Sequence, residues 1–161
     1  MKHIDEVNRQ ILNILQDEGA ITNAELANKV GMAPPTVLER VKKLERQGII
    51  RKYVALVDEA KIGRGIIAFV SISVADHSTL GIKNFHREIL RLPEVLECYH
   101  IAGEKDYLIK VIAKDIPDYE TFAIEKLAAL PNIGKISTMF VLSTVKRETK
   151  IQIDESDTLV K

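Results

Sequence analysis

Cysteine is almost absent from this chain, and no long apolar run occurs in it. Cys98 is the only cysteine among 161 residues, which excludes a disulfide within one chain and a zinc site built on several cysteines. The longest uninterrupted aliphatic and aromatic run is about Ile66 to Val70, far short of the ~20 residues that a membrane-spanning helix needs. Acidic residues occur within the first six positions, where a signal peptide would carry apolar residues. We therefore expect a cytoplasmic protein that has no membrane partner.

An excess of charge of one sign is also missing. The chain has 23 Lys plus Arg and 23 Asp plus Glu, so its formal net charge is zero. These charges are unevenly spread, because residues 29–52 contain seven basic and two acidic residues, a local charge of +5. We interpret this segment as a focused surface for the phosphates of a nucleic acid.

Helical periodicity dominates the first 50 residues. Apolar residues at spacings of three and four predict a helix from about Asp5 to Asp17. Thr22, three residues before Glu25, forms a capping box that opens a second helix. A third helix follows from Pro34-Pro35 to about Gln47. Three helices with a short break between the last two are typical of a helix-turn-helix domain, and a strand over 52–57 is expected after it.

The third helix carries the candidate DNA-binding residues, because the second helix of such a motif enters the major groove. Stepping 100° per residue from Val41 as the inward centre turns most of its polar side chains outward. The candidates are Pro35, Thr36, Glu39, Arg40, Lys42, Lys43 and Arg46. We expect Glu39 also to form an ion pair with Lys43, four residues on. A solvated amphipathic helix without a DNA role is the alternative.

Strand and helix patterns alternate through residues 66–147. The predicted strands are Ile66 to Ala75, Val95 to Ala102, Tyr107 to Ala113 and Ile133 to Arg147, and the predicted helices run from Thr79 to Arg91 and from near Pro117. This βαββαβ order is ferredoxin-like and makes the whole chain an α+β protein. Two helices can cover only one face of the sheet, so apolar residues on the other face predict a homodimer.

Together the two segments resemble the Lrp/AsnC, or feast/famine, family of transcriptional regulators. The matching stretches are DEVNRQILNIL (5–15), ELANKVG (25–31), LERVKKLERQGII (38–50), ECYHIAGEKDYL (97–108) and the final strand. The resemblance implies a winged helix-turn-helix domain that binds double-stranded DNA. It also implies a second domain that oligomerises and binds a small metabolite, often an amino acid. Family members form homodimers that commonly assemble into octamers.

The predicted organisation has four parts. They are a helix-turn-helix DNA-binding domain (1–50), a connecting strand and linker (51–65), a ferredoxin-like effector-binding and oligomerisation domain (66–150) and a polar C-terminal tail (151–161). The family often has serine where Ala33 stands, so the third helix here is expected to lack an N-cap side-chain hydrogen bond.

The resemblance also implies an effector site between dimers. The matching positions are Gly103, Asp106, Thr138, Met139 and Phe140. Gly103 would let a ligand approach the backbone, Asp106 would hold an ammonium group, and Met139 and Phe140 would line an apolar pocket. The alternative is that these residues form only a hairpin turn and interface core.

Catalytic chemistry has no positive support in the sequence. His3, His77, His86 and His100 lack the spacing of metal ligands, and no nucleophile elbow, phosphate loop or HExxH motif occurs. We therefore expect no enzyme, no metal site and no cofactor. His86 is expected at the surface, His100 in an interface or core, and Cys98 as a buried apolar residue. Two rival hypotheses stay open: a sirohaem decarboxylase-like enzyme on the same architecture, and an effector-independent chromatin-organising protein.

Overall fold

The structure, a computed structural model, describes residues 2–159 of the chain. Its elements, in chain order, are β1 (Lys2–His3), α1 (Glu6–Asp17), α2 (Asn23–Val30), α3 (Pro34–Arg46), β2 (Ile66–Val74), α4 (Thr79–Ile89), β3 (Val95–His100), β4 (Tyr107–Ala113), α5 (Ile116–Thr121), a π-helix (Phe122–Leu127), β5 (Ile133–Phe140) and β6 (Thr158–Leu159). None of the helices in the described part combines the length and the apolar character that a membrane crossing requires.

The chain forms two compact units. The first unit contains residues 2–56 together with 146–159, and the second unit contains residues 57–145. The chain therefore passes between the units twice. Val160 and Lys161, the end of the expected tail, lie outside the described residues.

A capping side chain stabilises the start of helix α1. The N-cap is Asp5, whose carboxylate accepts a hydrogen bond from the Asn8 backbone N–H at 2.9 Å. The first N–H groups of a helix have no partner within the helix, so this bond stabilises the start of α1. It also places a negative charge at the positive end of the helix dipole.

Helices α2 and α3 form the helix-turn-helix. The predicted capping box is confirmed, since Thr22 and Glu25 each accept a hydrogen bond from the other's backbone N–H. Gly31 ends α2 in a left-handed conformation, with φ at +67°. Glycine adopts this conformation without steric cost, which allows the chain to turn sharply into α3.

One apolar core joins the three helices of the first unit. Its buried members are Ile11, Leu12, Leu26, Ala27, Val37, Val41 and Leu44. Apart from Leu12, these are positions that the helical periodicity predicts to face inward. Ile153, from the far end of the chain, packs against the same core.

A four-stranded antiparallel sheet forms the second unit, in the order β3-β4-β2-β5. Side chains along β2 alternate between buried and half-buried positions. The buried set, including Val70 and Ile72, packs against Phe85 of α4 and against Tyr119 and Phe122 of the α5 region. Both helices therefore cover one face, and the predicted ferredoxin-like fold is confirmed.

The expected strand over 52–57 is wrong for the single chain. Residues 51–58 form neither helix nor strand in the structure. A strand needs neighbouring N–H and C=O groups on a partner strand, and the described part of the chain places none beside this segment.

Two further expectations at the C-terminus need correction. The final strand ends at Phe140 rather than Arg147, because its partner β2 begins at Ile66 and the ladder closes with a bond from Val141 N–H to Ile67 C=O at 2.9 Å. Residues 146–159, which include most of the expected polar tail, are not separate from the folded units. They return to the first unit, where β6 pairs antiparallel with β1.

The start of α3 generates a stability prediction. Its N-cap, Ala33, makes no side-chain cap hydrogen bond, as the sequence predicts. Ala33→Ser should stabilise the first unit by about 0.5 kcal/mol, at the low end for such caps, because Pro34 and Pro35 have no N–H and only that of Thr36 is available. Urea denaturation followed by circular dichroism measures the change.

Ala33→Val is the matched control for this substitution. Valine adds bulk at the same position but supplies no acceptor for a backbone N–H. If the serine variant is no more stable than the valine variant, a missing cap is not what limits the start of α3.

Candidate functional site

The outer face of α3 presents most of the candidate DNA-binding side chains. Val37, Val41 and Leu44 are buried on its inner face. The exposed candidates are Pro35, Thr36, Glu39, Lys42, Lys43 and Arg46. An exposed helix with three cations on one surface can approach DNA phosphates without rearranging the core beneath it.

Arg40 differs from the other candidates because it is half-buried and already bonded. Its guanidinium Nη1 donates to both carboxylate oxygens of Asp5, each at 2.9 Å, and to the Asn8 side-chain oxygen at 3.0 Å. All three bonds join the middle of α3 to the N-terminus of α1. In this structure Arg40 therefore fixes the position of α3 against α1.

Asp5 thus serves two helices with one carboxylate. Partial burial acts to raise the pKa of Asp5, but the hydrogen bonds from Asn8 and Arg40 outweigh it and leave the pKa below its ordinary value. Neither Asp5 nor Asn8 was among the candidate site residues. Asp5 is suited to the helix dipole by sequence alone, but its contact with Arg40 spans 35 positions of the chain.

The expected ion pair between Glu39 and Lys43 is wrong. No such pair forms among the residues that the structure describes, although both side chains are exposed. Exposed pairs of this kind gain little in water, because the Coulomb attraction is offset by the entropy lost in holding two long side chains together.

The β3–β4 turn holds the first two candidate effector residues. Gly103 is exposed with φ at +149°, and a Cβ added there would meet no atom within 4 Å. Asp106 uses one carboxylate oxygen to accept from the Val74 N–H at 2.8 Å and the other to contact His77 Nε2 at 3.0 Å. The Val74 and His77 hydrogen bonds lower the pKa of Asp106. Asp106 therefore supports the turn through contacts of both carboxylate oxygens. Its carboxylate is not free for the ammonium group of a ligand.

The other three candidates lie on β5, at the opposite edge region of the sheet. Thr138 bonds to the Tyr119 hydroxyl, and the Phe140 ring packs edge-on against the Tyr119 ring with centroids 4.9 Å apart. Met139 is 52% exposed and points to the opposite face, since successive strand residues alternate. Tyr119 was not among the candidates, and its role depends on α5 packing that sequence periodicity does not specify.

A single chain does not bring the five effector candidates together. Strand β2 separates β4 from β5, so the turn and Thr138 lie about 10 Å or more apart by two interstrand spacings.

His77, His86, His100 and Cys98 all belong to the second unit. His86 is exposed, as expected, and bonds to the Tyr107 hydroxyl at 2.8 Å. His100 stacks on the Tyr107 ring with centroids 4.8 Å apart and is exposed. Cys98 is also exposed, because β3 is an edge strand, so its expected burial is wrong. The described side chains include no group of three or more His, Cys, Asp or Glu able to hold a metal ion.

Comparison with known families accounts for both units. Residues 4–51 match the family described as winged helix-turn-helix DNA-binding, and residues 67–151 match the Lrp/AsnC ligand binding domain.

Three individual proteins extend this similarity over nearly the whole chain. Transcriptional regulator AzlB of Bacillus subtilis is 38% identical over 152 residues, covering 94% of this chain and 97% of the relative. The leucine-responsive regulatory protein of Escherichia coli is 35% identical over 152 residues, covering 94% and 93%. A transcriptional regulator from Neisseria meningitidis, solved as a complex with L-methionine, superposes with a TM-score of 0.87 at 31% identity, covering 92% and 96%.

The bond between Asp5 and Arg40 predicts a pH-dependent effect on stability. Asp5→Ala, which removes both the cap and the charge, should cost about 1 kcal/mol at pH 7. Asp5→Asn keeps a cap acceptor and should cost less. Because the folded-state pKa of Asp5 lies below its ordinary value of 3.8, the carboxylate stabilises the fold above that value and this stabilisation is lost as the pH falls through the folded pKa.

Urea denaturation of wild type and Asp5→Asn from pH 7 down to pH 3 measures this effect. The difference in free energy of unfolding between wild type and Asp5→Asn should become smaller below about pH 4. Glu6→Ala is the control, since Glu6 is the next residue and its exposed carboxylate contacts Arg9 and Gln10 of α1 but not Arg40 of α3. A gap that does not change with pH, or an equal loss in Glu6→Ala, would contradict the role of Asp5.

Proposed function

The chain belongs to the Lrp/AsnC family of transcriptional regulators, and from this premise we propose that it reads its operators by placing α3 in the major groove. The observation that carries the proposal is the exposed outer face of α3, with Lys42, Lys43 and Arg46 turned away from the core. In helix-turn-helix proteins the N-terminal part of this helix contacts base edges. Here that part contains Thr36 and Glu39.

The candidate residues divide into two groups by their surroundings. Lys42, Lys43 and Arg46 are exposed cations toward the C-terminal half of α3, suited to phosphates. Glu39 can accept from a cytosine amino group, and Thr36 can bond to several base edges. Arg40 has Nη1 engaged with Asp5 and Asn8, so we propose that it orients α3 and reaches DNA only with its remaining nitrogens.

We further propose that an amino acid is the effector of the second unit. The Neisseria meningitidis relative was solved with L-methionine, and the residues here offer compatible chemistry. Gly103 leaves its backbone open to a ligand, and Met139 offers an exposed apolar surface. Since Asp106 is engaged with Val74 and His77, it would support the turn while backbone groups contact the ligand.

This effector site would form between subunits of a homo-oligomer, with a dimer as the first step and an octamer as the full assembly. Two features of the isolated chain support a second copy. The side chains of Leu142 and Val145, which come after the edge strand β5, are 99% and 98% exposed. Contact of apolar side chains with water is unfavourable in free energy. Residues 51–58 lack a pairing partner within the described chain, and an equivalent segment from a second copy could supply one.

We also propose a cytoplasmic regulator without catalytic activity. The rival decarboxylase hypothesis would use histidines of the second unit. His77 and His86 here are hydrogen-bonded to Asp106 and Tyr107. A tetrapyrrole absorption band in the purified protein would favour the enzyme, and its absence together with operator binding would favour the regulator.

The phosphate-contact role of Lys43 can be tested by salt dependence. Lys43→Ala should weaken DNA binding by a similar factor on all sequences and reduce the slope of log K against log salt by about 1. Fluorescence anisotropy with a duplex from the region upstream of the chain's own gene gives both values. The control is Lys83→Ala, which removes an exposed lysine of α4 in the second unit. A salt-dependence slope that stays unchanged in Lys43→Ala would contradict the proposed contact between α3 and the phosphates.

The effector hypothesis predicts ligand-dependent thermal stability. L-methionine or L-leucine at millimolar concentration should raise the melting temperature of the wild type, because a ligand that binds only the folded state stabilises it. Gly103→Ala, which adds a methyl group to the open backbone surface, should abolish the rise.

Gly63→Ala is the matched control for the effector test. Gly63 also has a positive φ, of +74°, and no atom within 4 Å of an added Cβ, but it lies away from the turn in sequence. The Gly63→Ala variant should be less stable than the wild type because of backbone strain, but the ligand should still raise its melting temperature. Equal ligand responses in Gly103→Ala and the wild type would place the effector elsewhere, and no response to any of the twenty amino acids would reject this effector class.

A further inference from the structure

The last described residues of the chain lie along α1 in the first unit. We call residues 146–159 the C-terminal strap. Lys150 forms an ion pair with Asp17 at the end of α1. The Gln16 amide makes two bonds with the backbone of Ile151, donating to its C=O at 2.9 Å and accepting from its N–H at 2.7 Å. This pair of bonds holds one residue of the strap in a defined register on the helix.

The next contacts move toward the N-terminus of α1. Asn13 donates to the Ile153 C=O at 3.4 Å, and the Ile153 side chain packs against the helical core. Arg9 contacts the Glu155 carboxylate at 3.4 Å. Residues spaced by three and four positions share one face of a helix, so the strap runs antiparallel along a single face of α1.

The end of the strap meets the chain next to the Arg40 contact. In β6, Thr158 pairs with His3 of β1, and the Ile4 N–H donates to the Asp157 C=O at 3.4 Å. The following residue is Asp5, whose carboxylate holds Arg40. The strap therefore fixes the two residues that lead directly into this carboxylate.

Most of these contacts are individually weak. The ion pairs lie at the surface, where they contribute little, and Ile151 is 73% exposed. Ile153 is the strap residue that packs against the helical core among the side chains that the structure describes. One side-chain oxygen of Asn13 is buried without a hydrogen-bond partner in the described structure, which further lowers the stability of the contact. The part of the strap beyond Ile153 is therefore held by weaker contacts than those that hold the helical core together.

We propose that the C-terminal strap is a positioning element for DNA recognition. By holding β1 and Asp5, it keeps Arg40 and the outer face of α3 in the orientation that binds the operator. This inference rests on the DNA-binding role of α3 proposed above. Loosening the strap lowers operator affinity without unfolding the first unit.

A chain that ends at Ile153 tests the proposal. It loses β6 and Glu155 but keeps Ile153 in the core and the Gln16–Ile151 bonds. The deletion removes three acidic residues and one lysine, and a loss of negative charge by itself strengthens DNA binding. We expect the opposite: the shortened chain, with both units otherwise intact, should bind the operator about fivefold more weakly than the full chain by fluorescence anisotropy. Unchanged or tighter binding would overturn the proposal.

A double-mutant cycle distinguishes positioning from general destabilisation. If the strap acts through Arg40, deleting residues 154–161 in the Arg40→Ala background should cause no further loss of affinity, whereas a loss that adds in full would overturn the proposal. If the shortened chain does not fold, Gln16→Ala replaces it, with Gln10→Ala as control. Gln10 is exposed on the same helix, and its side-chain amide donates to the Glu6 carboxylate at 2.8 Å rather than to the strap.

Amide exchange keeps the strap proposal separate from the DNA-binding proposal. The Asn8 N–H, which bonds to Asp5, should exchange faster in the shortened chain than in the wild type. A wild type that binds no DNA would refute the role of α3 alone, while unchanged exchange at Asn8 would refute the strap.

Discussion

The three hydrogen bonds from Arg40 to Asp5 and Asn8 are the contact on which the rest of the DNA-binding unit depends. They connect the N-terminus of α1 directly to the middle of α3. The same carboxylate caps α1. A helix-turn-helix domain must present its second helix at a fixed angle, since phosphate contacts set the register that base contacts then read. The Asp5 carboxylate helps to hold α3 at that angle. Its partial burial costs little free energy, because the Arg40 guanidinium balances its charge.

Charge distribution gives the same unit its affinity for a polyanion. A zero net charge is compatible with DNA binding because residues 29–52 hold +5 while the other residues together hold −5. In the proposed binding mode, such focusing would limit indiscriminate binding along DNA and concentrate the attractive field at α3. The second unit contributes a sheet with one face covered by helices. The exposed apolar side chains of Leu142 and Val145, which follow β5, would be covered in the proposed assembly. Assembly in turn would give the DNA-binding units the paired spacing that symmetric operators require.

Local features of the fold could be predicted from the sequence, because they depend on neighbours within a few positions. The capping box at Thr22, the left-handed Gly31 and the missing cap at Ala33 all follow from residue type and spacing. The βαββαβ order follows from the alternation of strand and helix patterns. Contacts across long stretches of chain could not be predicted. In the sequence, Arg40 is one of several cations of α3, and the structure is needed to show that α1 lies beside it. Ile153 belongs to the predicted polar tail, but in the structure it packs against the helical core.

The limits of sequence reasoning at the candidate effector site have a similar cause. Thr138, Met139 and Phe140 are consecutive, yet a strand sends their side chains to two faces of the sheet. Asp106 is committed to Val74 and His77 by the packing of β4 against β2. Residues 51–58 have a strand-like sequence pattern, but they form no strand in the described chain, because strand formation also needs a pairing partner.

A structure of the full chain bound to its operator duplex tests the central claim most directly. We expect α3 in the major groove, Lys42, Lys43 and Arg46 against phosphates, and the Arg40 guanidinium still bonded to Asp5. An α3 that lies outside the groove, or an Arg40 that has left Asp5 to bind a base with its whole guanidinium, would contradict this account of how the helix is held.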